Sequence, residues 1–256
     1  MALKMTEAEL HRTLAYGVIA TGAVVFVALF FIVAPYGRHS RAGWGFMVSN
    51  RLGWTLMESP SALGFAALYF SGRHALEPVP LALAALWLTH YGHRTFIYPL
   101  RMTKRQRHMP LAVSAMAVVF NVLNAYLNAR WLSELGSYPA SWLRDPRFLA
   151  GVALFAAGMA LNITSDNTLF KLRKPGEEGY RIPHGGAYRW VSAPNYLGEL
   201  IEWGGFALAA WSLPALAFFL FTFANLVPRA IANHRWYQER FPDYPKQRKA
   251  VIPFLV

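Results

Sequence analysis

NITSDNTLFKLRKPGEEGYRIPHGGAYRWVSAPNYLGELIE, residues 162–202, is the one long polar stretch in a chain otherwise written in apolar blocks. It carries Lys171, Arg173, Lys174, Arg181 and Arg189, glycines at 176, 179, 185 and 186, and a helix restart at Pro194-Asn195. Cations, close backbone N–H groups and helix ends are what a bound polyphosphate needs. The expectation is that a loop over about 165–195 grips a nucleotide while the surrounding helices hold an apolar substrate.

The blocks on either side decide the class. Of 256 residues, 55% are hydrophobic and 15% charged, too little polar surface for a water-soluble fold. Apolar runs of about 18 residues or more recur, the mark of membrane-spanning helices. Candidate helices fall near residues 12–35, 52–71, 79–100, 110–132, 147–165, 196–211 and 213–236, the last two split at Trp211-Ser-Leu-Pro214. The first run is too long for a signal-peptide core and is kept as a span.

The net charge of +12 does not indicate nucleic acid. Lys and Arg gather in the turns, where the positive-inside rule puts them, and that face suits anionic membrane lipid. With the N-terminus outside, Arg38, Arg41, Arg51, Arg101, Lys104, Arg105 and Arg107 share the cytoplasmic side with the long loop and the tail, about 229–256. The expectation is an all-α, polytopic integral membrane protein with seven transmembrane helices and a cytoplasmic C-terminus. It forms a single domain, 1–256, and a monomer. The absence of cysteine and the alanine-rich helices point to a bacterial inner membrane, with the endoplasmic reticulum as the eukaryotic equivalent.

Two helices carry polar groups at depth. Glu58 lies about 10 Å inside and Tyr91 about 15 Å, at 1.5 Å per residue. Intramembrane ionisable groups are costly and face the bundle interior. Glu58 reads either as a packing residue paired with Arg94 or a histidine, or as a neutral acid that shares a proton with a substrate oxygen. A phenol beside such an acid makes a carbonyl clamp. Tyr91, Arg94 and Tyr98 share a helix face, and an interfacial aromatic belt suits Tyr98 better than Tyr91. His90 and His93 could face one ion near Glu58, but no third ligand declares itself, so no metal is expected.

No Gly-x-Gly-x-x-Gly follows a strand, so a nicotinamide cofactor would bind between helices and loops. The candidates are Asn162, Asp166, Arg173, Tyr180 and Arg181, then Asn195 and Glu199, then Arg229 and Tyr237. Guanidinium groups suit phosphates, and an asparagine can pair with a carboxamide.

Met57-Glu58-Ser-Pro, His90-Tyr91-x-His93-Arg94-Thr-Phe, Asn162-Ile-x-Ser165-Asp166 and Leu172-Arg-Lys-Pro-Gly176 resemble the membrane steroid 5α-reductases. So do Tyr180-Arg-Ile-Pro-x-Gly-Gly186, Asn195-x-Leu-Gly-Glu199-x-Ile-Glu-Trp203 and the tail from His234 through Phe254, which extends the resemblance from about Arg51 to the end. The resemblance implies a seven-helix enzyme that reduces the 4,5 double bond of a 3-oxo-Δ4-steroid with NADPH. Glu58 and Tyr91 would hold the C3 carbonyl. Asn162, Asp166, Arg173, Tyr180, Asn195, Glu199, Arg229 and Tyr237 would contact the cofactor, and Trp54, Tyr98, Trp203 and Phe221 would line the steroid pocket. Two positions depart from the vertebrate pattern: Met57 stands for a glutamine, and Asn233 for a histidine. The alternatives are a membrane methyltransferase of the isoprenylcysteine type, which would use S-adenosylmethionine, and a sterol-binding protein without catalysis.

Overall fold

The computed structural model describes residues 5–33, 37–39, 43–102, 108–172 and 179–256. Arg173, Lys174 and Gly176 of the expected nucleotide loop, and Arg41, Lys104, Arg105 and Arg107 of the turns, lie outside them. Among the described residues, seven helical rods follow in order. They are α1 (Glu7–Phe31), α2 (residues 50–70), α3 (residues 78–101), α4 (Leu111–Leu135), α5 (Pro146–Lys171), α6 (Pro194–Ala210) and α7 (Leu213–Arg240).

Their ends follow local chemistry. The Thr6 hydroxyl accepts from the Glu9 backbone N–H, and the Glu9 carboxylate accepts from Thr6 N–H at 2.8 Å. This capping box starts α1 ahead of its apolar run. The expected break after α6 comes at Trp211, which takes a left-handed conformation with φ 43°, and the Ser212 side chain then caps α7. Inside α2 and α3, five-residue π turns at Pro60–Gly64 and His93–Ile97 lie beside Pro60 and Pro99. Proline lacks the N–H and crowds the carbonyl four residues back, and a widened turn absorbs that misfit. The Asn121 side chain of α4 donates to the Met57 carbonyl just before the first of these turns.

Two expectations need correction. The helix expected over 147–165 runs on to Lys171, so Asp166 also lies within it, buried like Asn162 and Ser165. The connection to α6 is therefore shorter than 165–195. The chain is also not wholly α: β1 (Met47–Ser49) pairs antiparallel with β2 (His108–Pro110), Val48 opposite Met109. This ribbon satisfies backbone groups where the segments entering α2 and α4 meet.

Four rods, α1, α4, α5 and α7, are long and apolar enough to cross a membrane. The other three carry the polar groups: Glu58 on α2, His90 and Arg94 on α3, Glu199 and Glu202 on the 17-residue α6. The outward surface is apolar, with Val24, Leu63, Val119 and Leu149 exposed, as lipid contact requires.

α1 packs along α7, α2 along α4, and α5 along α6. The last contact is the tightest. A Cβ on Gly198 would meet Asn162 N at 2.5 Å, and one on Gly151 would meet Ala209 N at 2.5 Å. Glycines alone allow this backbone approach, as in other membrane helix pairs. The seam brings Asn162 and Asp166 against Asn195 and Glu199.

The basic tail folds back as a strap. Ser192 N–H donates to Lys249 O at 2.8 Å, Ala193 N–H to Ala250 O at 3.0 Å, and Lys249 N–H to Trp190 O at 2.9 Å. Beneath it, the Ser192 hydroxyl lies 2.6 Å from both His234 Nδ1 and Tyr244 OH.

Candidate active site

The core centres on a column of rings. Phe65 of α2 stacks on Trp87 of α3 at 4.7 Å; Trp87 meets Trp203 of α6 at 5.3 Å, and Trp203 meets Phe218 of α7 at 4.4 Å. Tyr91 joins this column beside Trp87 at 5.0 Å and Trp203 at 5.7 Å. Glu58, on the last turn before Pro60, lies within Coulombic reach of Tyr91, Arg94, His90 and Glu199. Protein surrounds it, yet it keeps accessible surface, as do Trp54, Tyr98, Asn195, Tyr196 and Glu199. These half-buried groups stand at the polar end of the aromatic column.

Arg94 organises the wall. Its guanidinium sits 4.6 Å from the Trp54 ring and 4.4 Å from the Tyr98 ring, and Trp54 Nε1–H donates to the Arg94 carbonyl at 3.1 Å. Desolvated cation–π contacts of this kind contribute about 2 kcal/mol. Arg94 Nη1 reaches Asp166 Oδ2 at 3.5 Å. Asp166 Oδ1 accepts from Asn195 Nδ2 at 3.1 Å, and Asn162 Nδ2 donates to Asn195 O at 3.0 Å. One network thus joins α3, α5 and α6. Four of the expected cofactor residues (Asn162, Asp166, Asn195 and Glu199) stand in or beside it.

Of the remaining expected residues Arg173 lies outside the described residues, and Tyr180, Arg229 and Tyr237 lie near the strap. Arg229 donates to Tyr196 OH at 3.2 Å. Arg38 lies in a cage of Tyr180, Trp236 and Tyr237 at 5.6, 5.1 and 4.5 Å, and Tyr237 stacks on Tyr244 at 5.2 Å. Asn233 pairs with His39 at 3.1 Å. Burial raises the pKa of the Tyr188 phenol in the connecting loop and keeps it neutral. Arg38 Nη1 and Arg248 Nε and Nη1 are buried without an acceptor. Orphaned guanidinium donors are costly, and a polyanion would satisfy them. The residues present therefore fit a phosphate-bearing ligand.

Trp203 lies at the centre of the aromatic column, while Phe221 stands further out, stacked on Phe120 at 4.0 Å and packed against Gly22 of α1. Three features escape a reading of the sequence. Arg38 and Arg248 look like ordinary turn and tail cations until their burial is seen. The third is the pairing of His90 with Glu202: Nδ1 and Oε1 lie 2.7 Å apart in the core. A clue was present, since Glu202 follows Glu199 by one helical turn and shares its inward face.

An acid, a phenol and a guanidinium thus lie within Coulombic reach of one another in a bundle of which four helices are long and apolar enough to cross a membrane. Residues 107–256 match the family model described as 3-oxo-5-alpha-steroid 4-dehydrogenase. The chain is 47% identical over 235 residues to a steroid 5-alpha-reductase DET2 of Gossypium hirsutum, covering 90% of this chain and 91% of that one. It is 45% identical to 3-oxo-5-alpha-steroid 4-dehydrogenase 1 of Bos taurus, covering 99% and 100%, and 43% identical to its Homo sapiens counterpart, covering 99% and 98%. The chain belongs to the 3-oxo-5-alpha-steroid 4-dehydrogenase family, a family of oxidoreductases.

Proposed function

We propose that this enzyme reduces the 4,5 double bond of a 3-oxo-Δ4-steroid to the 5α-3-oxosteroid, with NADPH as reductant. The observation that carries the reading is a half-buried Glu58 within Coulombic reach of the buried Tyr91 phenol in the apolar core. Family membership supplies the substrate class and argues against the methyltransferase alternative. When bound, NADPH supplies the hydride that goes to C5.

The chain's own residues do the rest. Glu58 and Tyr91 donate hydrogen bonds to the C3 carbonyl oxygen, and these strengthen as that oxygen takes on enolate charge. A proton from solvent then reaches C4, the C3 oxygen returns to a carbonyl, and Glu58 and Tyr91 keep their own protons. Trp54 and Tyr98 form the apolar wall with Trp203 behind them, Phe221 stands further out, and Arg94 holds Trp54 and Tyr98 in place. Asn162, Asp166, Asn195 and Glu199 position the nicotinamide end. Arg173, Tyr180, Arg229 and Tyr237 hold the phosphate-bearing end, with Arg38 and Arg248 supplying the buried donors.

Purified protein in detergent, given NADPH and testosterone or progesterone, is expected to form the 5α-reduced steroid, resolved by mass. Steroid binding without NADPH oxidation would instead favour the sterol-binding reading.

The topology belongs to the same proposal: all seven rods span, the N-terminus lies outside, and the strap faces the cytoplasm. The absence of cysteine makes this testable. Single cysteines in place of Arg189 and Lys246 should resist an impermeant thiol reagent in intact cells, whereas one in place of Arg73 should react. Labelling of all three from outside would reject the orientation.

A further inference from the structure

Each of the π turns in α2 and α3 leaves one backbone carbonyl without the donor that a regular helix supplies. In an α-helix an N–H donates to the carbonyl four residues back. Phe65 N–H reaches past that position to the Pro60 carbonyl, and Tyr98 N–H reaches past it to the His93 carbonyl. The carbonyls passed over belong to Ser61 and Arg94. Both find the same replacement, a tryptophan indole. Trp87 Nε1–H donates to Ser61 O at 2.8 Å, and Trp54 Nε1–H donates to Arg94 O at 3.1 Å.

The exchange is reciprocal. Trp87 belongs to α3 and serves the turn in α2, while Trp54 belongs to α2 and serves the turn in α3. Glu58 stands two residues before the first turn, and Tyr91 two residues before the second. A buried carbonyl stripped of its donor is costly, so each bond resists sliding of one helix along the other. The Trp87 ring has no exposed surface and packs 4.7 Å from Phe65 and 5.0 Å from Tyr91. We propose that Trp87 is a positioning residue for steroid reduction: its indole N–H, together with that of Trp54, clasps α2 to α3 and sets the separation of Glu58 from Tyr91. Two groups that must meet one carbonyl oxygen need that separation held closely, since a misplacement of about 1 Å costs about 10²-fold. This inference rests on the proposed role of Glu58 and Tyr91.

The test uses purified enzyme with NADPH and a 3-oxo-Δ4-steroid. Trp87 is replaced by 3-benzothienylalanine, which keeps the shape of the side chain but has sulfur in place of the N–H. kcat should fall by about ten-fold or more while steroid KM and NADPH Kd stay within about three-fold. Trp142→Phe removes a bond of the same kind, from Nε1–H to Ala209 O at 2.9 Å, on a side chain outside the proposed site. It should keep kcat within about two-fold. In the Glu58→Gln/Tyr91→Phe background the isostere should cost no more than about two-fold, because the groups it positions are already gone. An isostere with wild-type kcat would overturn the proposal, as would an equal loss in Trp142→Phe or in the doubly substituted background. An isostere that does not fold would make the bond a requirement of folding, and the positioning role would fall as well. Wild-type enzyme that turns over no steroid would refute the proposed function, and this role with it.

Discussion

Replacing Glu58 by glutamine is expected to lower steroid reduction by about 10²-fold or more while NADPH binds with near wild-type affinity. The reason lies in where charge appears. Before hydride arrives the C3 oxygen is a neutral carbonyl, which an amide can serve nearly as well as an acid. As the enolate forms, an acid can share its proton with that oxygen and an amide cannot, so the loss falls on kcat. Tyr91→Phe should behave likewise, since the phenol is buried among Trp87, Trp203 and His90 and its removal leaves that packing intact. The pair acts on one oxygen, so the double variant should be little worse than either single one. Single-turnover rates and an independent NADPH titration would check this. Near-wild-type rates in both variants would remove Glu58 and Tyr91 from the mechanism.

The second large effect is expected at a glycine that carries no side chain of its own. Gly198→Ala adds one methyl where α5 and α6 touch, and that methyl would sit 2.5 Å from Asn162 N and 2.7 Å from Gly158 O. Both neighbours are backbone and cannot rotate away, so the helices must part. Separation pulls Asn195 from Asp166 and Asn162, which takes apart the network that holds Arg94. Overpacking of this kind costs about 1–3 kcal/mol, and breaking a buried pair adds to it. NADPH affinity, steroid turnover and thermal stability should fall together. Gly64→Ala provides the control: a Cβ there meets nothing within 4 Å, and all three quantities should hold. Loss of turnover in the Gly198 variant with unchanged NADPH affinity and melting temperature would contradict the seam's role.

Much of this molecule could be read directly from the chain. The apolar blocks and their breaks at Trp211 and near the prolines follow from hydropathy and helical rise, which are local properties. So does the grouping of Tyr91, Arg94 and Tyr98 on one face. Local signals ended α5 too early, because the polar run after Ser165 resembles a loop until a partner helix supplies polar company.

Contacts between distant segments were beyond such a reading. No spacing announces that Glu202 meets His90 across 112 positions, that Arg38 enters a cage built from residues 180, 236 and 237, or that Lys249 binds beside Ser192. The sequence alone determined which segments are apolar enough for a membrane and which polar residues must hide inside it, since burying a charge in hydrocarbon is costly whatever the fold. Only the tertiary structure decided which of those hidden groups become partners. That choice depends on how closely the helix backbones can approach, and four glycines between α5 and α6 set the distance.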